Sequence, residues 1–208
     1  MGDDPPQGAL RRQVPRLPMG RGGMREWVFQ DWAVNVGRPD VQFLLAWFRL
    51  AQWARYRWSW KARLVVTPYW WFTRMVVGVE LPLDGDVGPR LRLYHPQNIV
   101  VNPGTSMGAD CRLRHGVTIG NRVDRDENEL GSATIGEGVD LGAGCVVIGD
   151  VHVGDHARIG ALAVVTRSVP PWAVVAGNPG QVIRIDEASE HDGPSEQVFQ
   201  PGDGGVNL

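Results

Sequence analysis

Five histidines, two cysteines and a scatter of carboxylates are the side chains of this 208-residue chain that suit acid–base, nucleophilic or metal chemistry. His191 lies in a polar, glycine-rich stretch, and His152 and His156 flank regular core positions at Val153 and Ala157, so these three read as surface residues. His95 and His115 differ. His95 falls six residues before Val101, where an aliphatic begins to return at every sixth position, so an imidazole stands where packing alone favours Val or Ile. A neutral imidazole there, held in one tautomer by a carboxylate, suits the work of a general base. His115 follows Leu113 by two and is placed to face a groove. Cys111 and Cys145 occupy small apolar positions of the same repeat and read as packing. Two cysteines make neither a disulfide framework nor a metal cluster, which agrees with a reducing compartment.

The repeat is what must position these residues. Val101, Met107, Leu113 and Ile119, then Ile135, Leu141, Val147, Val153, Ile159 and Val165, stand six apart, with a smaller core residue four positions after most of them. A period of six fits neither a helix nor a half-buried strand. It fits a parallel β-helix, in which each hexad forms one flat side and three hexads form a coil. Stacked coils bury together what none buries alone. Ile119 and Ile135 are sixteen residues apart, four more than two hexads, so residues 121–132 are expected to protrude as a polar loop.

The chain before the repeat has another character. Residues 1–78 carry 12 Lys and Arg against 5 Asp and Glu, and residues 79–208 carry 9 against 18, so charges of about +7 and −9 sum to the net −2. Proline and glycine in residues 1–24 predict disorder, as does the polar composition of 186–208. Residues 25–78 read as a helical, Trp-rich segment. A short helix around Trp27–Ala33 is expected to end at Gly37 and Pro39, and Asp40 to cap a longer one; a third is expected to follow Pro68 and end near Gly78. Within residues 49–63, Arg49, Arg55, Arg57, Lys61 and Arg63 alternate with Trp53, Tyr56, Trp58 and Trp60. The favoured reading is an amphipathic cap whose arginines reach past packed tryptophans; the other is a surface for an anionic membrane or polymer. An acidic repeat argues against a nucleic-acid partner. No apolar stretch has the length or continuity of a membrane span or a secretory leader, so the expected location is cytoplasmic, with peripheral membrane contact through 49–63 left open.

An ordered series of motifs now narrows the reading. Glu80-Leu81-Pro82, His95 fifteen residues later, Arg114-His115-Gly116-Val117-Thr118-Ile119-Gly120-Asn121, the hexads to Val169-Pro170-Pro171, and Ala176-Gly177-Asn178-Pro179 together resemble the serine acetyltransferase family of hexapeptide-repeat proteins. The likeness covers roughly residues 26–185 and is greatest to the shorter colanic acid and exopolysaccharide type. The resemblance implies a mainly β fold, a left-handed parallel β-helix behind a short helical segment. It implies an O-acetyltransferase using acetyl-coenzyme A and no metal, working as a homotrimer, with pairing of trimers left open. By the same resemblance His95 is the base, and Glu80 is its carboxylate partner, a Glu where the family usually has Asp. Gly120, Ala143, Arg158, Gly160 and Ala161 would lie along the coenzyme, with Asn178, Pro179 and Arg184 near its far end.

The departures concern the acceptor. Tyr94 replaces an aspartate before the base, and Gly131-Ser132 replaces an Arg-His pair after the loop, so the charges suited to an amino acid are missing. Tyr94, able to stack on a sugar, and His115 become the acceptor-binding candidates, and a saccharide of polysaccharide biosynthesis is preferred to L-serine of cysteine biosynthesis. Two readings of other classes compete. A zinc hydratase would need about three converging histidines. A non-catalytic β-helix scaffold, or a membrane-associated assembly protein, would use the basic, Trp-rich segment alone.

Overall fold

The hexads become very short strands because each side of a coil holds only two or three extended residues before the chain must turn. A computed structural model describes residues 23–122 and 131–186. The disorder expected at 1–22 and 187–208, and the centre of the loop at 123–130, lie outside the described residues.

The strands form three sheets that the chain visits in rotation. One contains β1 (Val79–Glu80), β3 (Ile99–Val101), β6 (Thr118–Gly120), β9 (Val146–Ile148) and β12 (Val164–Val165). A second contains β4 (Ser106–Met107), β7 (Thr134–Ile135) and β10 (His152–Val153). The third contains β2 (Arg92–Tyr94), β5 (Arg112–Arg114), β8 (Asp140–Leu141), β11 (Arg158–Ile159), β13 (Ala173–Ala176) and β14 (Gln181–Ile185). Every pairing is parallel except that of β13 with β14. Ile135 pairs Val153, Leu141 pairs Ile159 and Val147 pairs Val165, each eighteen residues on, so three hexads do complete one coil. The repeating aliphatics and the smaller residues four positions later are buried in one core. Each fully buried Val, Leu or Ile stabilises the stack by about 1.5–3 kcal/mol relative to exposure.

Two registers depart from the sequence expectation. Ile119 and Ile135 sit on successive sheets, where Leu141 to Val147 takes six residues, so the sixteen between them carry ten extra rather than four. The hexad count cannot distinguish one side plus ten from two sides plus four; only the pairing does. The second departure moves His95. Leu93 pairs Leu113, twenty residues on, while Val101 pairs Ile119, eighteen on, so two extra residues are accommodated between Leu93 and Val101. Leu93 therefore takes the core position, and His95, exposed and with φ of 52°, stands on the widened corner.

The helical segment closes the first coil. It comprises α1 (Met24–Val28), α2 (Pro39–Arg57), α3 (Arg63–Phe72) and a π-helical turn, Thr73–Val77, that ends at Gly78 in the left-handed conformation. Pro39 begins α2 instead of ending its predecessor, because proline suits the first helical position, and Asp40 lies in the first turn without capping it. Pro68 lies inside α3 instead of preceding it. Leu64, whose carbonyl loses the Pro68 N–H as partner, is exposed, so water can take that place.

The polar residues buried beneath the cap have a common task. A first coil has no strand beneath it, so its edge carbonyls would be left unsatisfied. Asn35 donates to the Leu91 carbonyl at 2.8 Å, Arg38 to Leu93 at 2.8 Å, and Arg49 to Val87 and Gly88 at 2.7 Å each. The Leu91 N–H donates to Asp31 at 2.9 Å, and Asp31 also accepts from Arg49 Nε at 2.7 Å. Arg49 is fully buried and so is no part of a surface, contrary to the open reading of residues 49–63. Side chains of the cap thus replace the missing strand.

Candidate active site

His95 and His115 come from neighbouring coils at the same corner, where the third sheet turns into the first. Their rings lie edge to face with centroids 6.5 Å apart. Both line a cleft of about 1020 Å³ between the corner and the cap, a volume at the top of the ordinary range for small-molecule sites. The cap supplies the opposite wall with Asp40, Phe43, Phe72, Arg74, Met75 and Val76. Among the described residues no third His, Cys, Asp or Glu joins the two histidines in a set able to hold a metal.

Below the histidines this corner continues as a column. Gly116 donates to the Gln97 carbonyl at 2.9 Å, Gly144 to His115 at 2.9 Å, Leu162 to Ala143 at 2.9 Å and Val164 to Gly177 at 3.0 Å. Ala143, Gly160, Ala161, Asn178 and Pro179 therefore lie on or beside one edge with the two histidines at its head. Close stacking requires the small residues: a Cβ on Gly142 would stand 2.6 Å from the Ala161 nitrogen. Gly120 lies elsewhere, at the opposite margin of the first sheet, in a smaller groove of about 290 Å³ that it shares with Glu80, Val100 and Thr118.

Four residues have engagements that their sequence context did not reveal. Glu80 is bound by Arg74, Nη2 to Oε2 at 2.9 Å, and no hydrogen bond joins it to His95 among the described residues. Arg74 lines both concavities, the one that holds the carboxylate and the one that holds the histidines. The Tyr94 ring carries the guanidinium of Arg38 at 4.5 Å and that of Arg114 at 5.4 Å, so cations, not open solvent, occupy its neighbourhood. Arg158 and Arg184 both pair with Asp186, which is buried, and Arg184 Nε reaches its Oδ1 at 2.8 Å. Asp186 belongs to the folded unit rather than to the tail expected from 186 onward.

Sequence reading also missed two residues. Asp40 looked like a cap and Arg74 like an interruption of an apolar run, yet both face the histidines across the cleft. The available signal was negative: Asp40 precedes a stretch, 41–79, with no other acid, and an isolated charge beside apolar sequence marks a site as well as a helix end.

Residues 132–167 match the bacterial transferase hexapeptide (six repeats). The chain is 38% identical over 144 residues to the serine acetyltransferase of Mycobacterium tuberculosis (strain ATCC 25618 / H37Rv), covering 68% of this chain and 59% of that one. It is 37% identical over 123 residues to the putative colanic acid biosynthesis acetyltransferase WcaB of Escherichia coli (strain K12), covering 59% of this chain and 74% of that one. Among solved structures, a serine acetyltransferase in complex with CoA shares the fold with a TM-score of 0.59 at 23% identity, over 77% of this chain and 69% of that one.

Proposed function

Because the chain belongs to the serine acetyltransferase-like family of hexapeptide-repeat acetyltransferases, we propose that it moves an acetyl group from acetyl-coenzyme A to a hydroxyl of a small acceptor. The observation that carries this reading is the pair of imidazoles at the head of an edge of small residues. His95 takes the proton of the acceptor hydroxyl as its oxygen attacks the thioester carbonyl. The tetrahedral oxyanion then collapses, the C–S bond breaks, and the coenzyme A thiolate recovers the proton. A thioester needs no acyl-enzyme for this, so a base and donors for the oxyanion suffice. Arg74 lines both concavities and pairs with Glu80, so Glu80 acts through it.

The sheets are read as the left-handed parallel β-helix of the family, and the working unit as a homotrimer. One chain holds its proposed coenzyme residues on two margins of the first sheet, with Ala143, Ala161 and Asn178 on the histidine edge and Gly120 on the other. A coenzyme touching both sets would lie between two copies. Val100, Ile148 and Leu162, exposed on or beside that sheet, suit burial against a neighbouring copy. Acetyl-coenzyme A is a co-substrate of the cell interior, which supports a cytoplasmic site of action.

A saccharide is the preferred acceptor, as in the polysaccharide role that WcaB's name gives it. The cleft supports this through its size and through Gln97 and Asn98 more than through Tyr94, whose ring two arginines already attend, while Asp40 and Arg74 on its cap wall offer the opposite charges that an amino acid would need. L-serine is the second reading, favoured by the longer match to the mycobacterial protein. Release of coenzyme A from acetyl-coenzyme A, with L-serine and a panel of neutral sugars side by side and His95→Ala as control, decides between them. Turnover on serine alone would reject the saccharide, and absence of acetyl-coenzyme A binding would reject the transferase.

A further inference from the structure

The cap has two faces, and only one is used against the coils. On α3 Val66 and Tyr69 point inward and are buried, as is Thr73 just beyond. On the opposite face Leu64, Pro68, Trp71 and Met75 recur at spacings of three and four, which places them in one line on a helix. Leu64 and Met75 are each 75% exposed, Trp71 64% and Trp60, one turn earlier, 70%. Beside this stripe stand Tyr56 and Trp58, both exposed, and three exposed cations, Arg57, Lys61 and Arg63.

We infer that this stripe and its cationic rim form a peripheral docking surface for an anionic lipid bilayer. Charge selects the occupant. Arg49 is paired with Asp31, Arg55 with Asp84 and Arg74 with Glu80, and Arg38 is held by the Leu93 carbonyl, but Arg57, Lys61 and Arg63 make no ion pair among the described residues. No acid occurs in residues 41–79, while residues 79–208 carry about −9, so an anionic surface attracts the cap and repels the remainder. A second copy fits poorly: a twofold contact through this patch would set the three cations against the same three. The rings suit a bilayer surface, since Tyr and Trp join an apolar body to a polar edge and collect at headgroup depth.

The surface is continuous with the candidate active site. Met75 belongs to the stripe and also lines the histidine cleft, with Phe43 and Val76, both exposed, beside it. Docking would therefore bring the mouth of the cleft to the lipid surface. That consequence rests on the proposed function, but the docking itself does not.

Sedimentation of the full-length protein with vesicles tests it without any need for turnover. Binding is expected to vesicles of phosphatidylcholine with about 30% phosphatidylglycerol and not to phosphatidylcholine alone, and to weaken at least fivefold between roughly 50 and 500 mM NaCl. Lys61→Glu with Arg63→Glu should reduce it at least tenfold, as should Leu64→Glu with Trp71→Glu, both without change in oligomeric state. Because all four residues are exposed and outside the cleft, coenzyme A release on a soluble acceptor should stay at the parent rate. Equal binding to neutral and anionic vesicles, or none to either, overturns the inference. So does a change of oligomeric state in either variant with vesicle binding unaltered, which would assign the stripe to another copy of the chain.

Discussion

The imidazole of His95 meets that of His115 edge to face, 6.5 Å between centroids, across two successive coils of one corner. At that separation one acceptor hydroxyl can lie against both rings. His95→Ala should lower kcat for coenzyme A release by about 10²–10⁴, the usual worth of a general base, while His115→Ala should act mainly on the acceptor KM. His95 is exposed and supports no packing, so its variant should melt with the parent protein. An unchanged kcat in His95→Ala would transfer the role of base to His115.

Arg74 and Glu80 should behave as a unit. Their ion pair is half exposed at both ends, so neither Glu80→Gln nor Arg74→Met should cost more than about 1 kcal/mol of stability. Each should nevertheless reduce kcat by roughly tenfold, and the double variant should be little worse than either, because residues that act through one another are not additive. Losses that simply multiply in the double variant would show that Arg74 serves the cleft independently of Glu80.

The buried Asp31–Arg49 pair predicts a large stability effect remote from the chemistry. Arg49→Met leaves an unpaired carboxylate beneath the cap and strips donors from Val87 and Gly88. A loss of about 3–5 kcal/mol in urea unfolding is expected, as for other broken buried pairs. A loss below about 1 kcal/mol would mean that water replaces the guanidinium.

Cys111 and Cys145 should be silent toward alkylation. Burial pushes each thiol up to about 12, so at pH 8 the folded protein holds almost no thiolate. Iodoacetamide should label both only after unfolding. The sign for stability follows: a folded value above the unfolded one favours the native state at neutral pH, and that contribution falls away as pH rises from about 8.5 toward 12. Rapid labelling of the native protein would place these thiols outside the core.

The three-sided stack was legible because its signal is one-dimensional: Leu141, Val147 and Val153 announce three sides and one coil by spacing alone. What interrupts the spacing was not. The two extra residues that lift His95 onto its corner, and the ten between Ile119 and Ile135, alter register without altering composition, so only strand pairing locates them. The histidines were found by type, whereas Asp40 and Arg74 reach the same cleft from a segment folded back over the first coil, a juxtaposition no local pattern encodes. Arg49 was misplaced for a related reason, since a run of alternating Arg and Trp looks alike whether it faces lipid or props up a strand edge.

A column of parallel coils has no natural limit, because the top of each coil is a template for the next. Asn35, Arg38 and Arg49 stop that propagation at one end with side chains in place of strands, and antiparallel β14 covers the third sheet at the other. Loosening the cap would thus do more than destabilise a monomer. It would expose a ladder of strand edges ready to pair with another molecule, so the loss of Arg49 should promote self-association of folded chains as well as unfolding.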